Sequence, residues 1–275
     1  MLLQNKNAVI YGGGGSLGGA VARAFAGAGA KVFLTGQHLQ PVQKCADEII
    51  AAGGSAEAAV VNALDEKAVG HHIDALLQKA GTVDISFNAI GVQSVQNIPL
   101  VLMSLAEFIR PINIAMETQF ITATAAGKAM IKQGTGVILS LTATPGGIGY
   151  PLVGGFGPAC CAMESFSKDL ASELGQYGIR VVNIRSAGSP DSQVFQEAFT
   201  RVGEETAKSI FKKMADDTML KKLPPMKDIA NAAVFLASDL AASITGVTLD
   251  VTCGTTSALN YKVNYQEKFI LFDQR

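Results

Sequence analysis

The chain has 275 residues, of which 48% are hydrophobic and 16% are charged, and this composition excludes an intrinsically disordered protein. A formal net charge of -1, without a run rich in lysine and arginine, argues against nucleic-acid or membrane-surface partners and favours a small-molecule ligand. We expect no transmembrane helix and no export signal, because the first residues lead directly into a strand-like segment. The four cysteines lack metal-ligand spacing, so we expect reduced thiols, no metal site and a cytoplasmic protein.

Short β-rich runs alternate with longer helical patterns along the chain, which predicts right-handed βαβ units. Seven strands are predicted, at NAVIY, KVFLT, AAVVN, VDISFN, GVILSL, IRVVNI and VTLDV. Helices are predicted at residues 17–28, 40–52, 65–80, 103–132, 158–176 and 226–238. The fold class is therefore α/β, a doubly wound (Rossmann) parallel sheet of about seven strands with helices on both faces.

We expect a single domain over residues 1–275, because no linker or repeat divides the chain. The longest irregular piece covers residues 186–225, and a helical pattern at 192–214 predicts a substrate lid there. A C-terminal tail is expected over residues 255–275. Because ligands bind beyond the carboxyl ends of the strands in such sheets, candidate site residues are expected in the loops that follow each strand.

The strongest motif is VIYGGGGSLGGAVARAFAGAGAKVFLTG, which joins the first strand, the first helix and the second strand. Glycines allow close approach of a pyrophosphate, which backbone amides and a helix N-terminus hold. A Cβ at Ser16 crowds that approach, although its hydroxyl is able to cap the helix or to bond a phosphate oxygen. The motif predicts dinucleotide binding by Gly12, Gly15, Ser16, Leu17 and Gly18.

This loop resembles the T-G-x-x-x-G-x-G loop of the short-chain dehydrogenase/reductase family, with Tyr11 in place of threonine and Ser16 in place of the middle glycine. NAIG at residues 88–91 resembles the N-N-A-G that follows strand four in that family. ELGQYGIRVVNI and SITGVTLDVTCG resemble its passages at strand six and the last strand. The resemblance implies a nicotinamide cofactor with further contacts at Asn88, Ala89 and Gly91.

The family uses a serine after strand five and a Tyr-x-x-x-Lys at the next helix for hydride-transfer chemistry. Alignment back from MESFSKDLASELG places Ala143 at the serine, Phe156 at the tyrosine and Cys160 at the lysine. Loss of a positioned general acid costs about 100- to 10,000-fold in rate. Asn113 matches the asparagine of the family's catalytic tetrad, and Tyr150 is the candidate replacement acid. The resemblance therefore implies a degenerate active site.

Cys160 and Cys161 lie near the start of the fifth predicted helix. A helix N-terminus lowers the pKa of a thiol and favours a nucleophile, but no histidine or lysine is near in sequence to complete its activation. The alternative is a cysteine of the core or the pocket wall. Thr142 offers a hydroxyl, but its side chain is expected on the opposite face of the strand from Ala143.

Cofactor choice in the resembling family depends on an aspartate for NAD or an arginine for NADP after strand two. Gln37 is uncharged, and this favours NADP over NAD because no carboxylate repels a 2′-phosphate. Asn62 stands where relatives carry an aspartate that contacts adenine, and its amide oxygen accepts the same bond. Ala63, the next residue in this loop, is a further candidate contact.

Two function classes remain open. The first is an NAD(P)-dependent oxidoreductase with a displaced or substrate-supplied proton donor, acting on an activated carbonyl or double bond. The second is a non-catalytic or non-redox protein that binds a nucleotide or ligand, or that pairs with an active relative. The resemblance also implies a homotetramer or dimer, in which the helices at about 103–132 and 158–176 pack across a two-fold axis.

Overall fold

A computed structural model of the chain describes residues 1–258, except for the side chains at positions 194, 198, 199, 201 and 202. Seven strands form one parallel sheet in the order β3-β2-β1-β4-β5-β6-β7, and this confirms the predicted fold class. The strands are β1 Asn7–Tyr11, β2 Lys31–Gly36, β3 Ser55–Val60, β4 Ile85–Asn88, β5 Gly136–Ala143, β6 Ile179–Ser186 and β7 Thr248–Val251.

Helices connect these strands and cover both faces of the sheet. They are α1 Ser16–Gly27, α2 Leu39–Ala51, α3 Glu66–Ala80, α4 Leu105–Gln133, α5 Phe156–Leu174, α6 Gln193–Val202, α7 Glu204–Asp216 and α8 Met226–Ala237. One buried cluster packs α1, α2 and α8 against the sheet, and a second packs α3, α4 and α5 against the opposite face. Within residues 1–258, no helix is long and apolar enough to cross a bilayer.

Local sequence signals account for several helix boundaries. Ser104 and Glu107 form a capping box at the start of α4, and Gly134 ends that helix in the left-handed region. Asp65 accepts hydrogen bonds from two backbone amides at the start of α3. Gly203, with φ +83°, separates α6 from α7, so the predicted helical segment 192–214 is two helices rather than one.

The sequence prediction was wrong about the bounds of the third strand. AAVVN, at residues 58–62, predicts a strand that extends beyond the observed end of β3 at Val60. The hydrogen-bonded strand begins earlier, at Ser55, because its pairing with β2 runs from Lys31 opposite Ser55 to Gly36 opposite Val60. Asn62 therefore lies in the loop after the strand.

The C-terminal segment is described only in part. Residues Thr255–Ser257 form a short 3₁₀ helix, and the remainder of the predicted tail, from residue 259, lies outside the described residues.

Candidate cofactor-binding and active site

A cavity of about 300 Å³ opens at the carboxyl ends of β1 to β4, where the sequence predicts a ligand site. Seven of the predicted cofactor residues line it: Gly12, Gly15, Gln37, Asn62, Ala63, Ala89 and Gly91. The other lining residues are Tyr11, Gly14, Thr35, Gly36, His38, Pro41, Val42, Val61, Leu64, Ile90, Gln93, Ile114 and Thr118. The structure therefore brings the loops after four strands together around one space.

Close backbone packing explains the glycines of the first loop. Gly12 has φ +78°, and a Cβ there would lie 2.8 Å from the carbonyl oxygen of Ala89. A Cβ at Gly18 would lie 2.2 Å from the carbonyl oxygen of Gly12, so only glycine lets α1 approach the loop. Gly18 thus shapes the loop without lining the cavity. A side chain at either position would push the loop out of this shape, which brings its backbone amides to the start of α1, where a diphosphate fits.

Ser16 makes a different contact from the helix cap considered above. The N-cap of α1 is Gly15, which has no side-chain cap bond. The Ser16 hydroxyl oxygen instead accepts a hydrogen bond from the backbone amide of Gln193, the first residue of α6, at 3.0 Å. Leu17 packs against the core beneath α1 and does not line the cavity. The capping alternative is therefore wrong, and a phosphate contact for Ser16 stays a prediction.

Polar side chains at the mouth of the cavity bond to one another. Gln37 donates from Nε2 to Oδ1 of Asn62 at 3.1 Å, and the Leu64 amide donates to the same oxygen at 3.2 Å. His38 also lines the mouth and is exposed. The residues that line the cavity include no aspartate or glutamate, so no carboxylate in this wall repels an anionic group.

Asn88 acts behind the cavity wall. Its side chain is buried, and Nδ2 donates to the carbonyl of Thr118 at 3.3 Å and to the hydroxyl of Thr122 at 3.0 Å. Its Oδ1 accepts from the Ile90 amide at 3.0 Å. These bonds hold α4 against the end of β4 and fix the turn at Ala89, so Asn88 positions the wall without lining it.

Phe156 and Cys160, which the sequence alignment predicts at the family's tyrosine and lysine positions, are partly buried and fully buried, respectively. Phe156 packs against a small buried cluster that includes Ala115 of α4 and Met163 of α5. The Cys160 side chain is fully buried, and burial raises the pKa of its thiol to about 11. Such a thiol is protonated near neutral pH, which argues against a nucleophile and favours a core cysteine. Cys161 is exposed, with Sγ 3.7 Å from the carbonyl oxygen of Gly146.

A buried charged network lies beneath the loop that follows Ala143. Arg185 donates to Glu164 from Nε at 2.9 Å and from Nη2 at 2.5 Å, and from Nη1 to Asp250 at 3.2 Å. Thr142 donates to the same Glu164 carboxylate at 2.9 Å, so its side chain points toward α5, as expected for the face opposite Ala143. The side chains of this network thus link β5, α5, β6 and β7.

Two further predicted residues lie outside the cavity. Asn113 is exposed on α4, next to Ile114 of the cavity wall, and Tyr150 is 42% exposed in the loop before α5. Their catalytic roles stay predictions. Sequence reasoning missed Ile114 and Thr118, although their spacing of four residues on α4 is the signal for a shared helix face.

The α6–α7 segment follows β6 along the chain and contributes none of its described residues to the lining of the cavity. Phe195 stacks on Phe211 with ring centroids 4.8 Å apart, and this contact holds the two helices together. The carboxylate of Asp191 accepts hydrogen bonds from the Met226 amide at the start of α8. The loop before α6 is thus tied to the start of α8, and the role of the segment as a substrate lid stays a prediction.

The doubly wound sheet and its glycine loop are those of a Rossmann-type protein. A family model described as enoyl-(acyl carrier protein) reductase matches residues 13–256. The chain belongs to the short-chain dehydrogenase/reductase family, as the sequence resemblance predicted.

Curated relatives carry oxidoreductase names. The chain is 29% identical to 7alpha-hydroxysteroid dehydrogenase of Escherichia coli K12, over 94% of this chain and 97% of that one. It is 28% identical to 3-oxoacyl-[acyl-carrier-protein] reductase FabG of Chlamydia trachomatis, over 92% and 98% of the two chains. The structure superposes on NAD⁺-bound xylitol dehydrogenase with a TM-score of 0.85 at 23% identity, covering 92% of this chain and 100% of the other. This structural likeness shows the fold.

Proposed function

We propose that the chain is an NAD(P)-dependent oxidoreductase that binds NADP in preference to NAD and works without the family's Ser/Tyr/Lys set. The observation that carries the proposal is the cavity at the ends of β1 to β4, with its glycine loop and no carboxylate in its wall. A bound nicotinamide cofactor supplies the hydride that is transferred. The chain's own residues then bind and orient that cofactor and exclude water.

Each part of the cavity has a role in this proposal. The amides after Gly12 hold the diphosphate at the start of α1, which the helix N-terminus favours. Gln37 and the exposed His38 lie at the ribose end, where no carboxylate of the cavity wall would repel a 2′-phosphate. The Asn62 side-chain oxygen accepts a bond from the adenine amino group in place of its bond from Gln37.

Calorimetric titration with NADPH and NADH tests the cofactor proposal. We expect tighter binding of NADPH to the wild type, and Gln37→Arg to increase its affinity by about tenfold or more through a charge-assisted bond. Gln37→Asp is expected to reverse the preference because a carboxylate repels the 2′-phosphate and accepts from the 2′-hydroxyl. Gln43→Arg is the matched control, since Gln43 bonds Asp47 on the outside of α2. Tighter binding of NADH to the wild type would refute the NADP assignment.

The proposed chemistry is reduction of a substrate that does not depend on a protein acid at position 156. Phe156 is packed in a cluster, Cys160 holds a protonated thiol, and Ala143 has no hydroxyl. An activated double bond or activated carbonyl accepts hydride and then takes its proton from solvent or from Tyr150. NADPH oxidation is therefore expected with a conjugated enone and to be at least about 100-fold slower with a simple ketone. Equal rates with both substrates would count against this reaction class.

A second candidate function is a non-redox protein that binds a nucleotide or ligand, or pairs with an active relative. It is favoured by one observation, which is that Phe156 and Cys160, which the sequence alignment sets at the family's acid and lysine positions, are partly buried and fully buried, respectively. Tight NADPH binding with no NADPH oxidation across ketones, enones and imines would favour this candidate. Turnover with any of these substrates would reject it.

We also propose a homo-oligomer, a dimer or tetramer built on α4 and α5. Four large apolar side chains, Leu105, Ile109, Phe120 and Ile131, are exposed along α4. The Phe120 ring lies 6.1 Å from the Phe166 ring on α5. Light scattering at micromolar concentration is expected to give a dimer or tetramer for the wild type and a smaller species for Phe120→Glu. The same change at an exposed residue elsewhere, Tyr177→Glu, is the control. A wild-type monomer would refute the proposal.

A further inference from the structure

One polar atom in the cavity wall lacks a hydrogen-bond partner. Tyr11 ends β1, is fully buried and is one of the residues that line the cavity. Among the described residues, nothing donates to or accepts from its hydroxyl. Burial raises the pKa of this phenol above its ordinary value, so the group is a neutral donor near neutral pH. A buried hydroxyl without a partner is unfavourable, and such exceptions to hydrogen-bond pairing require an explanation.

The neighbouring polar side chains of the wall are already paired. Thr35 donates to the carbonyl of Ile10, and Thr118 donates to the carbonyl of Ile114. At the mouth, Gln37 and Asn62 bond each other. Tyr11 is therefore distinct among the residues of the inner wall, because its side chain carries a donor that the described protein does not use.

The position of Tyr11 relates this donor to the cavity. In the sheet register Tyr11 lies opposite Thr35 of β2 and opposite Asn88 of β4. Tyr11 thus lies at the end of the middle strand of three adjacent strands, β2, β1 and β4, whose carboxyl ends border the cavity. The surrounding wall is mostly apolar, with Val61, Ile90 and Ile114 among its members. A mostly apolar slot with one unpaired buried donor is suited to a flat heteroaromatic ring that carries nitrogen acceptors.

We propose that the Tyr11 hydroxyl donates a hydrogen bond to a ring nitrogen of a purine base bound in this cavity. The inference rests on the proposed dinucleotide function and goes beyond it by naming the side chain that recognises the base. It also explains the tyrosine at the position where the resembling loop carries threonine. Tyr11 is then a binding residue that acts on the adenine half of the cofactor and leaves the hydride-transfer end untouched.

Replacement of the hydroxyl alone tests the assignment. We expect Tyr11→Phe to bind NADPH and adenosine 5′-monophosphate about 5- to 10-fold more weakly than the wild type, which corresponds to loss of one neutral hydrogen bond. The control is Tyr177→Phe, at an exposed tyrosine outside the cavity, which is expected to bind both as the wild type does. Without ligand, the melting temperature of Tyr11→Phe is expected to equal or exceed that of the wild type, because its lost hydroxyl had no partner.

Titration with 1-deaza, 3-deaza and 7-deaza analogues of adenosine 5′-monophosphate identifies the acceptor and needs only the wild-type protein. One analogue is expected to bind about 5- to 10-fold more weakly than the parent nucleotide, and this penalty is expected to disappear in Tyr11→Phe. Equal binding of all three analogues to the wild type, or an unchanged affinity of Tyr11→Phe, would overturn the Tyr11 assignment alone. A lower melting temperature of unliganded Tyr11→Phe would also overturn it. Failure of the wild type to bind either NADPH or the nucleotide would overturn the proposed function as well.

Discussion

The buried ion pair between Glu164 and Arg185 gives the clearest stability prediction. Their side chains are 8% and 15% exposed, and Arg185 makes two charge-assisted hydrogen bonds to the carboxylate, at 2.9 and 2.5 Å. Glu164→Ala removes both bonds and the acceptor of Thr142, and leaves a largely buried guanidinium with Asp250 at 3.2 Å. Breaking such a pair lowers the free energy of unfolding by about 3–5 kcal/mol. Because Arg185 keeps its contact with Asp250 in this variant, we expect a loss in the lower half of that range.

Urea denaturation followed by far-ultraviolet circular dichroism measures the effect. Glu48→Ala is the matched control, because Glu48 also lies in a helix and pairs with an arginine, Arg23, at 3.1 Å, but with side chains 45% and 47% exposed. That exposed pair is expected to contribute less than about 1 kcal/mol. The urea concentration at the unfolding midpoint should fall much further for Glu164→Ala than for Glu48→Ala. The dependence of the unfolding free energy on urea concentration should be unchanged in both variants. Equal midpoints for the two variants would refute the argument that burial gives the Glu164 pair its strength.

Three other predictions concern the site. Burial raises the pKa of the Cys160 thiol from 9.0 to about 11, so the folded protein disfavours its ionisation. The free energy of unfolding should therefore fall as pH rises from about 9 to 11, and this fall should be absent in Cys160→Ala. A thiol reagent at neutral pH should label the exposed Cys161 before the buried Cys160. Gly18→Ala should abolish cofactor binding in calorimetry, because its Cβ would lie 2.2 Å from a backbone oxygen. Measurable ketone reduction with NADPH should appear in the triple variant Ala143→Ser, Phe156→Tyr, Cys160→Lys. Each single change should have almost no effect, because the three groups act as a unit. A wild type that reduces simple ketones at ordinary rates would refute this prediction.

Much of the fold was predictable because the signals are local. Apolar periodicity separates strands from helices, and Ser104 with Glu107 three residues later marks the start of α4. The cavity loops were also predictable, since parallel strands place their carboxyl ends at one edge of the sheet. The exact bounds of β3 were not predictable. This strand consists mostly of small residues, and its pairing with β2, rather than its own sequence pattern, sets where it begins and ends.

Other features depend on residues far apart in the chain. The Arg185–Glu164 pair joins residues 21 positions apart on different elements, and neither residue belongs to a recognisable motif. The absence of a partner for the Tyr11 hydroxyl depends on every neighbour that surrounds it, so no sequence pattern reports it. Burial of Cys160 likewise follows from the packing of α5 against the loop at Gly146, which tertiary structure alone specifies.

The contact between Ser16 and Gln193 has a consequence for how the protein responds to an anion. A hydroxyl carries one proton and two lone pairs, so it accepts from one group while donating to another. The Ser16 oxygen already accepts from the Gln193 amide, and its proton remains available to a phosphate oxygen at the start of α1. A phosphate oxygen that accepted a hydrogen bond from this hydroxyl would polarise it and strengthen its bond to the Gln193 amide. Ser16 would thereby link an anion at the start of α1 to a helix that begins 177 positions away in the chain, a connection that glycine at this place does not provide.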